Sequence, residues 1–168
     1  MACQKGHVEV VEKLLEAGAN IDRPTNEGAT PFFVACQEGH VEVVEKLLAV
    51  GANIDAPFKD GSTSLFVACQ EGHVEVVEKL LEAGANIDTP TNHGATPLLI
   101  ACQKGHFAVV ERLLAAGANI DAPTKGGVTP LHVASWNGHQ SVVKLLLSVG
   151  ANSNALSGTR KAFSGTKG

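Results

Sequence analysis

Tyrosine is missing from this sequence, tryptophan and methionine occur once each, and aromatic residues make up only 4% of its 168 positions. A single large core knitted together by rings is thereby excluded, and small side chains must do most of the packing. No apolar run approaches the roughly 18 residues that a membrane-spanning helix needs, and the N-terminus lacks the basic-then-apolar order of a secretory leader. Basic charge is not in excess either. A net charge of −4 and a pI near 5.9 argue against a chain whose main task is neutralising phosphates. Neither a membrane nor a nucleic acid is expected as a partner, and a cytoplasmic location, with the nucleus second, is the default. What is present, 44% apolar and 18% charged residues, is the composition of a globular protein.

The sequence repeats itself every 33 residues. Cys3, Cys36, Cys69 and Cys102 keep that step, with Ser135 at the fifth station, and so do His7, His40, His73, His106 and His139. Gly18, Gly51, Gly84, Gly117 and Gly150 each open a Gly-Ala-Asn triplet. Four full units are read at 26–58, 59–91, 92–124 and 125–157, preceded by a partial unit at 1–25 that lacks its first eight positions. The pattern is lost over 158–168, a Gly/Ser/Thr/Lys-rich tail with Phe163 as its one apolar anchor, expected to be mobile.

In the unit 26–58, Thr30 is a good N-cap and Pro31 suits the first helical turn, where its missing N–H is not needed. A short helix with Phe32, Val34, Ala35 and Cys36 on its apolar face should follow and end at Gly39. From His40, the apolar positions Val41, Val44, Leu47 and Leu48 recur at helical spacing. Glu42 stands one turn before Lys46, an i, i+4 pair, and Gly51 ends this second, longer helix. Pro57 and the pair Asp60-Gly61 mark an extended arm with a tight turn between units. Neither helix can bury its stripe on the other alone, so units must stack side by side. The expected fold class is an all-α solenoid of helix-turn-helix-loop units, a rod roughly 40–50 Å long at the usual helix spacing.

Thr96-Pro97-Leu98, Thr129-Pro130-Leu131-His132, the Gly-His pairs, Val-Val-Glu-Lys-Leu-Leu at 43–48 and 76–81, and Gly-Ala-Asn together resemble the ankyrin repeat. The resemblance covers residues 1–157 and implies an interaction module whose partners bind the concave face formed by loop tips and first helices. Some positions depart from the family pattern. Ser64 replaces the helix-opening proline. Phe33, Phe66 and Leu99 stand where the family has the histidine kept here only as His132, which leaves the rigidity of the neighbouring loops open. Asp55, Asp88 and Asp121 replace a common asparagine, and Asn154, which matches it, is a candidate for asparaginyl hydroxylation by family analogy.

Cys36 and His40 have the i, i+4 spacing of a two-ligand site on a helix. However, equivalent residues of stacked units should lie about 10 Å apart, too far to share an ion or form a disulfide. The expectation is free buried thiols in a reducing compartment, Gly-His pairs that organise turns, and no metal or cofactor. No catalytic set distinguishes any one unit, and a repeat spreads identical groups along a line instead of gathering different ones in a pocket. No enzymatic activity is expected.

The informative positions are those of the face that the resemblance assigns to partners, many of which vary between units while their neighbours do not. These are Asn26, Glu27, Ala29, Gln37 and Glu38; Lys59, Asp60, Ser62, Gln70 and Glu71; Asn92, His93, Ala95, Gln103 and Lys104; and Lys125, Gly126, Val128, Trp136 and Asn137. Trp136, which replaces a glutamine, is the sharpest of them, because Trp is the residue type most enriched in binding hot spots. Phe58 replaces Thr25, Thr91 and Thr124 of the sister loops and is either a second apolar contact or a ring folded under its own arm. Glu27, Glu38, Asp60 and Glu71 outnumber Lys5 and Lys59 in the early units, whereas Lys104 and Lys125 stand unopposed later, so a partner segment with basic groups toward the N-terminal end is expected.

At the ends, Val8, Val11, Leu14 and Leu15 have no preceding unit to cover them, which suggests a fragment of a longer array or end-to-end self-association of an otherwise monomeric chain. Gln140 and Ser153 replace apolar residues and make a partial C-terminal cap. The functional expectation is a module that binds another protein or peptide. The alternative is a structural spacer within a longer ankyrin-containing protein.

Overall fold

A computed structural model describes residues 2–26 and 28–153, so Glu27, Asn154 and the tail 158–168 with Phe163 lie outside the described residues. Among those described are ten helices and no strands. They are α1 (Ala2–Lys5), α2 (Val8–Glu16), α3 (Pro31–Glu38), α4 (Val41–Ala49), α5 (Ser64–Glu71), α6 (Val74–Glu82), α7 (Pro97–Lys104), α8 (Phe107–Ala115), α9 (Pro130–Trp136) and α10 (Gln140–Ser148). The odd-numbered helices pack on one another in one row and the even-numbered helices in a second, with each odd helix also packed on the even helix that follows it.

The starts and stops follow local chemistry. The hydroxyls of Thr30, Thr63 and Thr96 accept the N–H groups of Phe33, Phe66 and Leu99, which satisfies one orphan donor of each first helix. Thr63 does so with Ser64, not proline, after it. In the last unit, His132 Nδ1 accepts the Thr129 N–H at 3.0 Å. Where the histidine is replaced, Phe33, Phe66 and Leu99 are buried in the core. Their loops still close, through Thr25 before Phe33, Asp60 before Phe66 and Thr91 before Leu99, as described below.

The second helices bury more than one stripe. Val43, Val44 and Leu47 are fully enclosed, while Val41 and Leu48, expected on the same face, are only partly covered. Each even helix is flanked by the odd row and by its even neighbours, so the adjacent valines are both used. The expected Glu42–Lys46 pair gives way to a contact between units: Lys46 Nζ lies 2.7 Å from Glu12. Lys79 pairs with Glu45 at 2.9 Å and Arg112 with Glu78 at 2.6 Å in the same way.

Two further sets of contacts tie each unit to the next. Asp22, Asp55, Asp88 and Asp121 accept the backbone N–H of Asn53, Asn86, Asn119 and Asn152. A carboxylate is the stronger acceptor for that bond, which gives the aspartates a physical role where the family has asparagine. The Gly-His pairs act across the boundary as well as at the turn. His40, His73, His106 and His139 place Nε2 2.9–3.0 Å from the carbonyl oxygens of Gln4, Gln37, Gln70 and Gln103. Each ring lies over the glycine of the preceding unit, and a Cβ on Gly39 would stand 2.6 Å from the His73 ring.

At the N-terminal end Val11 is buried and Val8 and Leu15 are partly covered, so the exposed apolar pair is Val10 and Leu14, whose counterparts Val43 and Leu47 are enclosed. At the other end Gln140 and Ser153 are exposed as expected, yet Leu147 and Val149 are exposed beside them.

Gly39 and Gly51 separate two costs of a side chain. Both have positive φ, but nothing lies within 4 Å of a Cβ on Gly51. Gly51→Ala should therefore cost about 1 kcal/mol from backbone strain, whereas Gly39→Ala should cost at least about 2 kcal/mol because the His73 ring must also move. Urea denaturation of the two variants checks this, and equal losses would refute the role given to the ring.

Candidate functional site

The first helices and the loops that precede them enclose a groove of about 850 Å³ at the N-terminal half of the array. Eight of the residues expected on the partner face line it: Asn26, Ala29, Gln37, Glu38, Phe58, Asp60, Ser62 and Gln70. Lys59, Glu71, Asn92, His93, Gln103, Lys104, Lys125, Trp136 and Asn137 are exposed but are not part of its lining. Glu27 is outside the described residues. Ser62, expected on this face, is buried, at 3% exposure.

The groove has an apolar floor. Phe33 and Phe66 line it together with Val34, Val67 and Phe58. Phe33 and Phe66 carry a usable signal, since both are aromatic where the repeat pattern has histidine, but spacing alone places them only in the core. The Phe33 and Phe58 rings stack with centroids 5.2 Å apart and planes 21° from parallel, a geometry worth about 0.5–1.5 kcal/mol beyond burial. Phe58 is partly buried against the core, so both readings of this residue hold in part: the ring folds against its own unit and still faces the groove.

The loop carrying Phe58 shares with its sisters a backbone bond, here from the Phe58 N–H to the Ser62 carbonyl at 2.8 Å, but differs in the side-chain bond that supports it. Thr25, Thr91 and Thr124 use Oγ1 to accept the N–H of Ala29, Ala95 and Val128 at 3.1–3.2 Å. Phe58 has no such oxygen. There, Asp60 Oδ1 accepts the Ser62 N–H at 2.9 Å and also the Ser62 hydroxyl. Burial tends to raise the Asp60 pKa, but the two Ser62 bonds outweigh it, with the loop backbone and His93 assisting, and hold the carboxyl below its ordinary value.

The loop tips are tied to one another. Lys59 Nζ donates to the Asn26 carbonyl at 3.3 Å, Asn92 Nδ2 to the Lys59 carbonyl at 3.1 Å, and the Asn92 N–H to the Asp60 carbonyl at 2.7 Å. The Lys125 N–H reaches the His93 carbonyl at 3.2 Å. These residues shape the rim as well as being available on it. Trp136, at the end of α9, is 68% exposed, the most exposed large apolar side chain described.

Cys36, Cys69 and Cys102 are buried and Cys3 is partly covered. Burial raises all four thiol pKa values; that of Cys102 is pushed up to about 12, and at Cys36 a hydrogen bond involving Ser64 offsets part of the rise. Inert thiols of this kind pack as small apolar wedges. His40, the i+4 neighbour of Cys36, is engaged with Gln4. Among the described residues no three His, Cys, Asp or Glu side chains gather as metal ligands, and no helix is long and apolar enough to cross a membrane.

A family model described as ankyrin repeats (3 copies) matches residues 1–91 and again 87–157. No curated protein matches the sequence.

Two outcomes follow from this geometry. A carboxyl with a lowered folded pKa contributes stability that is full above the ordinary value of 3.8 and is lost as pH falls through the lower folded value. Asp60→Asn should therefore unfold more easily than the unaltered protein at neutral pH, with the gap closing only in acid below that value, as read from denaturation midpoints between pH 2 and pH 7. A thiol reagent such as Ellman's reagent at pH 8 should label Cys3 first and the three buried cysteines only after unfolding in urea; rapid titration of all four in buffer would contradict the burial.

Proposed function

The chain belongs to the ankyrin-repeat family, and from that premise we propose that it binds a partner protein or peptide through the face built by its loop tips and odd-numbered helices. Ankyrin repeats are in general protein–protein interaction modules, and the family is typically non-enzymatic. The observation that carries the reading is that eight residues of the expected partner face line one groove, among them Phe58, Asp60 and Ser62, which differ from every counterpart in the sister loops.

The array is divided into a partial unit at 1–25 and full units at 26–58, 59–91, 92–124 and 125–157. The partner lies lengthwise, with its basic groups toward Glu38, Asp60 and Glu71 and its acidic or neutral groups toward Lys104 and Lys125. Charge of this kind sets orientation and association rate more than affinity. Trp136 offers a second anchor at the far end. The partner's home, and so the chain's, is the cytoplasm or nucleus.

A stacking role within a larger array is the second reading, favoured by the exposed Val10 and Leu14 at one end and Leu147 at the other, whose counterparts inside the array are covered or partly covered. End-to-end pairing of two copies is less well supported. Lys46, Lys79 and Arg112 each meet a glutamate of the preceding unit, but in a head-to-tail stack Lys13 would meet Lys144, which stands where Glu12, Glu45, Glu78 and Glu111 recur. The chain is therefore read as a monomer.

Reversing Glu38 and Glu71 to lysine should weaken a captured partner about three- to tenfold at low salt, and the loss should shrink in 0.5 M salt. Trp136→Ala should weaken it at both salt concentrations. Unchanged affinity for both variants at low salt would leave the stacking role as the better account.

A further inference from the structure

The Phe33–Phe58 pair and the acids beside it lead beyond a general interaction face to one kind of ligand. We infer that this groove takes an extended peptide segment of a partner protein, seating one bulky apolar side chain on the two rings and a lysine or arginine beside it against Glu38 and Asp60. The inference rests on the concave-face reading above and narrows it to a subsite.

The loop that carries Phe58 differs from its sisters at three linked positions. Phe58 stands for threonine, Asp60 for Glu27, His93 and Gly126, and Ser62 for Ala29, Ala95 and Val128. Losing the threonine would leave the N–H of residue 62 without its usual acceptor, and Asp60 supplies one. The Ser62 hydroxyl, buried at this position, is satisfied by the same carboxylate. Phe58 can therefore occupy the loop base without opening the loop. Its ring lies on Phe33, and both line a groove of about 850 Å³ with Val34 and Phe66 in the same wall. A cleft of that size accommodates a large side chain and the peptide around it.

Charge supplies the second half of the ligand. Glu38 and Asp60 line the groove, and Glu71 is exposed beside Gln70. Among the described residues Arg23 is the one basic side chain lining the groove, and the Lys59 ammonium is held by the Asn26 carbonyl. An acidic rim over an apolar floor disfavours an acidic or wholly polar segment and favours a basic one with an apolar anchor.

The test is selection of a random twelve-residue peptide library displayed on phage against the full chain, followed by titration of synthetic copies of the enriched peptides. The inference requires enriched peptides to share an apolar residue next to lysine or arginine. Phe58→Thr, which installs the residue of the sister loops, should weaken them at least ~10-fold under conditions where the variant, though less stable than the parent, is still fully folded. Because Phe58→Thr removes a core contact, Glu38→Lys serves as an independent variant that leaves the core untouched, and it should weaken the same peptides at low salt. Peptides that bind Phe58→Thr as well as the parent, but lose affinity to Glu38→Lys/Glu71→Lys, would overturn the aromatic anchor and leave the concave-face reading standing. Peptides indifferent to every variant would overturn both, and an empty or acidic selection would overturn the inference. The chain's own basic segment is the remaining occupant: if Arg160→Glu/Lys161→Glu tightens peptide binding tenfold or more, the groove is filled from within and the inference of a foreign ligand fails.

Discussion

Everything in this molecule depends on the boundary between one unit and the next, because no unit encloses its own apolar faces. That boundary is held at three separated places. On the even helices Lys46, Lys79 and Arg112 reach back to glutamates. At the Gly-Ala-Asn turns the aspartates reach forward to asparagine amides. At the ends of the odd helices each imidazole reaches the previous unit's carbonyl over a glycine that has no Cβ to block it. The exposed ion pairs contribute little individually. The imidazole contact is different in kind, since it combines a hydrogen bond with close packing that a single methyl group would disrupt. Together the three sets require the same offset between neighbours, and the continuous core from Val11 to Leu146 is the result.

That arrangement separates what must repeat from what is free to vary. Glycines, histidines, aspartates and the enclosed valines and leucines are bound to the offset. The loop tips are not, provided that each loop keeps its own closing bond. Phe58, Asp60 and Ser62 illustrate the condition: the side-chain closing bond is transferred from a threonine hydroxyl to a carboxylate, and a ring occupies the vacated place. The rim residues carry two duties at once. Asn92 links the loops through both its amide N–H and its side chain, and Lys59 links them through its ammonium and its carbonyl. The recognition face is thus stiffened by several of the same groups that a partner would meet.

Much of the fold could be read from residue order. Thr30 and Pro31 opening a helix, Gly39 in the left-handed conformation closing it, and the longer amphipathic helix from Val41 are local events, decided within a few residues of chain. The side of the array bearing the groove was legible through the resemblance, and Phe58, Asp60 and Ser62, each unlike every counterpart in the sister loops, marked the unit in which it lies. Less legible was anything that depends on the neighbour 33–36 residues away. Lys46 has glutamates within reach on its own helix and on the preceding one, and periodicity cannot choose between them. Val43 looks like a solvent-facing position on an isolated helix, and it is enclosed only because helices flank it on several sides. Ser62 reads as a loop-surface residue until Asp60 folds over it.

The amino-acid order by itself determined the 33-residue period, the two helices of each unit with their caps, and the list of positions released from the repeat, since these follow from backbone preferences and side-chain spacing within one unit. Only the tertiary structure decided which partner each polar group takes, that the histidines join units over a glycine, and that Phe33 and Phe58 meet in one groove. Those outcomes depend on the distance and angle between stacked units, which are set by packing across the boundary, and no stretch of chain inside one unit contains that information.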